Sequence, residues 1–170
     1  MNYIPRNLEQ IVNQVTKEYP AVLVTGPRQV GKTTMLRKLM EGSDRSYVSL
    51  DDLGERSLAR EDPELFLQMH KPPVLIDEVQ YAPELFTYIK IYVDTRQEPG
   101  AFWLTGSQVF RLMDGVQESL AGRVAVLSLT SLAQAEICGS PMPPFELELD
   151  ALREREGERT PADVNEIFQR

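Results

Sequence analysis

Apolar positions along the chain change their period repeatedly, and each change marks an element. Leu8, Ile11, Val12 and Val15 recur at helical spacing until Tyr19-Pro20 stops them, and Ala21 to Thr25 is then a short, continuous, strand-like apolar run. Met35, Leu36 and Leu39 return to helical spacing, Gly42-Ser43 breaks it, and Ser46 to Leu50 predicts a second strand closing at Asp51-Asp52. Pro63 suits a first helical position, with Leu65, Phe66 and Met69 on one face before His70-Lys71-Pro72-Pro73 ends the helix. Val74-Leu75-Ile76 is too apolar for a strand with one wet face, which predicts a central place in a sheet, and it closes in Asp77-Glu78. Pro83 opens a helix carrying Leu85, Phe86, Ile89, Tyr92 and Val93 toward Arg96, and Pro99-Gly100 turns the chain into a fourth strand, Phe102 to Thr105. Residues 109–122 read as helix in two pieces broken near Gly115, Val124 to Leu129 as a fifth strand and Leu132 to Ile137 as a short helix. Strands alternating with helices predict an α/β fold with parallel crossovers.

After Gly139 the texture changes. Prolines stand at 141, 143 and 144, and a charge-dense stretch follows in which Phe145, Leu147 and Leu149 alternate like a strand while Phe145, Leu149 and Leu152 also fit a helix. Thr160-Pro161 reads as a helix start, and the stripe begun by Val164, Ile167 and Phe168 is cut short, which predicts further sequence beyond it. With 170 residues and 42% hydrophobic content, we expect one domain over 1–140 and a charged linker, the start of a C-terminal region, over 141–170. A net charge of -8 disfavours a nucleic-acid footprint over the whole surface. The single Cys138 allows no intramolecular disulfide, and without a signal-like or membrane-spanning run the expectation is a reducing, cytoplasmic setting and no membrane partner. His70 is the one histidine, which argues against a zinc or triad role.

Between the first strand and the first long helix lies Gly26-Pro27-Arg28-Gln29-Val30-Gly31-Lys32-Thr33-Thr34. Gly26, four residues, then Gly31-Lys32-Thr33 match the P-loop, whose backbone N–H groups converge on phosphate oxygens while a lysine adds charge. All nine residues are candidate nucleotide contacts, with Thr33 also a ligand for the metal. Asp51 and Asp52 sit at a strand's carboxyl end, where α/β sheets place ligands, but helix capping is the favoured reading. Ile4 and Pro5 offer an apolar wall for a base, with core packing as the alternative.

Phosphoryl transfer from ATP needs Mg²⁺ held by hard oxygens, and Asp77 suits that role beside Thr33. Glu78 is then placed to polarise a water as general base. P-loop ATPases with a glutamate after this aspartate carry a polar residue at the end of the intervening strand; Ser107 is the candidate, with Thr105 and Gln108 behind it and a plain turn as the alternative. Lys32 joins Glu78 and Ser107 in the catalytic set. Arg123, after Glu118-Ser119-Leu120-Ala121-Gly122, is a candidate arginine finger in cis or toward a neighbouring subunit, against an equal case for a surface ion pair. Arg28 and Gln80 are further candidates.

Taken together, Gly26 to Thr34, Val74 to Gln80, Leu104 to Gln108 and Glu118 to Arg123 resemble a prokaryotic AAA+-type ATPase over residues 1–140. The resemblance implies a three-layer P-loop NTPase fold with sheet order 5-1-4-3-2, Mg-ATP binding and hydrolysis, and a C-terminal region of poorly defined function; the expected partner besides ATP is a second copy of the chain, as a homo-oligomer, or that C-terminal region. It also implies a second sensing arginine from a C-terminal lid, and with the sequence stopping at Arg170 the expectation is a domain that binds nucleotide and hydrolyses it slowly. The expected function is ATP hydrolysis that drives or gates a conformational change. A nucleotide-gated switch for a protein or DNA partner is the alternative, and a small-molecule kinase fits less well.

Overall fold

In the computed structural model, residues 3–107 and 119–139 are described, and all belong to one compact unit, Met1–Ser140. Gln108, the helical reading up to residue 118 and everything read into 141–170 lie outside the described residues. The elements are α1 (Leu8–Val15), β1 (Ala21–Thr25), α2 (Lys32–Leu39), β2 (Ser46–Ser49), α3 (Leu53–Glu61), α4 (Pro63–Met69), β3 (Val74–Asp77), a 3-10 turn (Val79–Tyr81), α5 (Leu85–Arg96), β4 (Phe102–Gly106), β5 (Val124–Ser128) and α6 (Gln134–Ile137).

The five strands form one parallel sheet in the order β2-β3-β4-β1-β5, which is 5-1-4-3-2 read from the other edge. Ala21 lies opposite both Phe102 and Val124, Phe102 opposite Val74, and Val74 opposite Ser46, so the strands start level and end level. A parallel sheet needs cover on both faces, and the strand sequences show it: β1, β3 and β4 are buried at every position, whereas the edge strands β2 and β5 are only partly so.

Alternation splits the core into two layers. Ala21, Leu23, Ile76 and Leu104 pack with Phe66, Leu85, Phe86 and Ile89 from α4 and α5; Val22, Val24, Leu75 and Trp103 pack with Val12, Met35 and Leu36 from α1 and α2. Each such fully buried aliphatic side chain contributes about 1.5–3 kcal/mol. Two expected stripes are narrower than their spacing implied. Leu65 and Met69 are exposed, and Pro63 and Phe66 form the buried line of α4; on α1, Ile11 is exposed while Val12 is buried. A helix of two turns that touches the core along one line has room for one inward residue per turn.

The caps follow the sequence. Asp52 accepts from the N–H groups of Gly54 (2.8 Å) and Glu55 (3.0 Å), so Asp51-Asp52 serves as a helix start, and Asp62 caps α4 by accepting from Leu65 N–H at 2.9 Å. Among the described residues no helix is long and apolar enough to cross a membrane.

Candidate functional site

Strands that end level present their carboxyl ends together, and there the chemistry-bearing residues meet. The loop leaving β1 turns at Gly26, with φ +139°, and a Cβ atom at this position would lie only 2.0 Å from the Leu129 carbonyl oxygen. Only glycine fits, because the exit from β5 is bonded across that point through Leu129 N–H to Thr25 O at 2.8 Å. Gly31, at φ +92°, is the N-cap of α2, so the helix N-terminus opens onto the loop. Lys32 is buried and folds back over the loop, donating from Nζ to Gly26 O (3.0 Å) and Pro27 O (2.8 Å). Burial holds its ammonium below the usual lysine range; Glu78 and Asp77 pull the other way, and Arg28 pushes down again. Pro27, Arg28 and Gln29 are exposed, and Val30 is half-buried. Thr33 and Thr34 line a cleft of about 660 Å³ that also touches Arg37 and Tyr47.

Asp77, the last residue of β3, is buried and collects hydroxyls. Thr33 Oγ1 donates to its Oδ1 at 2.7 Å, Thr105 Oγ1 donates to the same oxygen, and Tyr47 OH reaches Oδ2 at 3.2 Å. Glu78 then adopts a left-handed conformation, φ 56°, which turns its side chain out of the strand's alternation. Its carboxylate Oε2 accepts from Ser107 Oγ (3.1 Å) and from Gln80 Nε2, while its backbone N–H donates to Thr105 Oγ1 at 3.0 Å. Thr105 and Ser107, at the end of β4 between β1 and β3, thus divide the two carboxylates between them, and Thr105 also holds the Glu78 backbone. Gln80 is buried, and its Oε1 is left without a hydrogen-bond partner.

Thr33, Asp77, Glu78 and Ser107 are thus brought together beside Lys32. Arg123 is not. It immediately precedes β5, its carbonyl accepts from Ala21 N–H at 3.4 Å, and Ala21 opens β1, so a strand length of roughly 16 Å separates it from the loop of its own chain. There Arg123 donates to both carboxylate oxygens of Asp94, at 2.5 and 3.1 Å, on the surface. The cis reading fails on direction: in a parallel sheet the residue before a strand lies at the end away from the ligand.

Two participants escaped the sequence reading. Tyr47 reaches Asp77 because β2 and β3 are neighbours in register, with Ser49 opposite Asp77. Arg6 is buried in the lead-in and donates to Val30 O (2.8 Å) in the loop, to Thr130 O (2.8 Å) and Ser131 O (3.2 Å) after β5, and to Glu136 at 3.1 Å. Glu136 also accepts from the N–H groups of Asn7 and Ala133, each at 2.8 Å. An arginine following the apolar run Tyr3-Ile4-Pro5 was the available signal. Beside it Ile4 is half-buried and Pro5 exposed.

Comparison with known proteins bears on the family and the fold. Uncharacterized proteins of Mycobacterium tuberculosis and Mycobacterium bovis are each 36% identical over 122 residues, which is 71% of this chain and 27% of theirs, so the chain spans about a quarter of those relatives. A Walker-type ATPase of Pyrococcus abyssi superposes with a TM-score of 0.58 at 18% identity, covering 83% of this chain and 60% of the other. The RuvB protein of Thermotoga maritima gives 0.47 at 18% identity, covering 73% and 44%. The profile of a family described as the AAA domain matches residues 18–138, the stretch from the end of α1 through α6 that builds both the sheet and the loop. The chain belongs to the AAA domain family and carries its P-loop ATPase fold.

Proposed function

We propose that this domain binds ATP with Mg²⁺ and hydrolyses it to ADP and phosphate. The observation that carries the reading is the pairing of Thr33 Oγ1 with Asp77 Oδ1 at 2.7 Å, next to a second carboxylate, Glu78, held by Ser107. The donor set suits Mg²⁺. It consists of hard oxygens from one hydroxyl and one carboxylate, which leaves an ion's other positions to waters and phosphate oxygens. Thr33 and Asp77 would hold the ion, which when bound neutralises charge on the phosphates.

The chain's own residues do the rest. The loop's N–H groups and the α2 N-terminus cradle the phosphates, and Lys32 leaves its two loop carbonyls for phosphate oxygens. Glu78 accepts a proton from the attacking water, with Ser107 fixing the carboxylate's position. Arg123 enters this reading only from a second copy of the chain, after release from Asp94. Turnover would drive or gate a change in the remainder of the protein.

Gln80 favours a second reading. By holding the Glu78 carboxylate together with Ser107, it suits a nucleotide-gated switch for a protein or DNA partner, with turnover that is slow or absent. Phosphate release and nucleotide binding, measured with Glu78→Gln alongside the parent, separate the two. Hydrolysis expects intact Mg-ATP binding and a turnover loss of about 10²–10⁴-fold; tight binding without parental turnover selects the switch, and undiminished turnover in the variant removes Glu78 from its role.

A further inference from the structure

We propose that Arg28, in the P-loop itself, is the arginine that meets the terminal phosphate of ATP, in cis, from the opposite side to Lys32. The inference rests on the ATP reading above and assigns to the chain's own loop a task that Arg123 cannot perform within one copy.

Position comes first. Arg28 is the third residue of the loop, between Pro27, whose ring fixes its own φ, and Gln29, which holds the left-handed conformation at φ 65°. This rare backbone state for a side-chain-bearing residue turns the apex sharply and leaves Arg28 exposed at its tip. The guanidinium extends across the mouth of the site, where Nη2 reaches Tyr81 OH at 3.5 Å, the outer limit of hydrogen-bond length. Tyr81 is three residues beyond Glu78 and bonded back to it, N–H to O at 3.1 Å. Arg28 therefore spans from the phosphate loop to the segment that carries the candidate base.

Charge comes second. Among the described residues Arg28 has no ion pair, in contrast to Arg6 on Glu136 and Arg123 on Asp94, so its donors are available at little cost.

Mobility comes third. Tyr81 is a fixed post: the Arg56 guanidinium carbon stacks 4.0 Å from its ring centre, and Arg56 Nε is tied to Leu50 O at 2.7 Å. Arg28 leans on that post by one long bond, which a phosphate oxygen can replace. A planar, permanently ionised fork matches the oxygens of a triphosphate end. In the reaction the water oxygen bonds to the γ-phosphorus as the bond to the bridging oxygen breaks, its electron pair leaving on ADP. The water's proton passes to Glu78, and Arg28 keeps all its protons and only donates hydrogen bonds.

The test compares the full chain with Arg28→Ala and Tyr81→Phe, measuring Mg-dependent affinity for ADP, for a non-hydrolysable ATP analogue and for ADP with aluminium fluoride, together with turnover. ADP lacks the group Arg28 would touch. For Arg28→Ala we expect ADP affinity within about twofold of the parent, a loss of about tenfold or more for the aluminium fluoride complex, and turnover lower by about 10³-fold. Tyr81→Phe keeps the parent's preference. Equal losses for ADP and the triphosphate-like ligands, a parental preference in Arg28→Ala, or the same defect in Tyr81→Phe each overturn the proposal. Failure of the wild-type chain to turn over ATP defeats the hydrolysis reading alone, since the affinity ratios still decide Arg28; failure to bind any nucleotide defeats both.

Discussion

Replacing Arg6 by Met tests whether the lead-in segment is a structural part of the site. Arg6 and Glu136 expose only 6% and 5% of their side chains, and the arginine's donors satisfy Val30, Thr130 and Ser131 as well as the carboxylate. Removing one partner of a buried ion pair costs about 3–5 kcal/mol. Glu136 retains the N–H groups of Asn7 and Ala133, which places Arg6→Met at the lower end, about 3 kcal/mol. For a domain of this size that is roughly a 6–12 °C fall in Tm, readable by calorimetry or circular dichroism. The double change Arg6→Met with Glu136→Leu should recover much of it, because no charge is then stranded. Acid gives an independent sign. Burial pushes the Glu136 carboxyl up, but the Ala133 and Asn7 N–H groups and the Arg6 guanidinium outweigh it and hold the group below its ordinary value. A carboxylate depressed in the folded state stabilises above its unfolded value and loses that contribution as pH falls through the folded one. The gap in stability between parent and Arg6→Met should therefore narrow as pH drops below about 4. A Tm loss under about 2 °C, or a double variant no better than the single one, would refute the clamp.

Gly26→Ala should destabilise through its positive φ by about 1–3 kcal/mol, with more from the collision at the Leu129 carbonyl. Gly42→Ala, also at positive φ but with nothing within 4 Å, should cost only about 1–2 kcal/mol, and thermal melts compare the two. Asp77→Asn keeps an acceptor for Thr33 and turns the Tyr47 contact into one in which the amide donates to the hydroxyl, but it loses the charge, so a magnesium titration of nucleotide binding should shift to higher concentration by about tenfold or more. Arg123→Ala should leave nucleotide affinity of the dilute protein at the parent's value and abolish any rise of specific turnover with protein concentration; weaker binding in dilute solution would contradict its distance from the loop.

What the sequence made legible was local. A phosphate loop announces itself within nine residues, and an apolar run ending in Asp77-Glu78 marks a buried strand and its acids together, because both depend on neighbours along the chain. Tyr47 on Asp77 and Arg6 on Glu136 depend instead on register and on contacts far apart in sequence, which no periodicity encodes. Arg123 is a different case. Once the sheet was read as parallel, its place before β5 already set it at the far end, a direction that would have favoured the surface ion pair over a finger in cis where the residue type alone left the two equal. Leu65 and Met69 show the limit of stripe counting on a helix of two turns.

The strand order has a consequence for how this domain is made. During synthesis β1 emerges early, yet its partners are β4 and β5, so Ala21 must wait for Phe102 and then Val124 while β2 and β3 can already pair. Parallel pairings between distant segments form late and leave apolar strands unprotected in the interval. Ala-Val-Leu-Val-Thr is such a strand. The ribosome must therefore deliver nearly the whole domain before the loop after β1 is anchored on both sides, so its shape is set at the end of translation of this unit, not at its beginning.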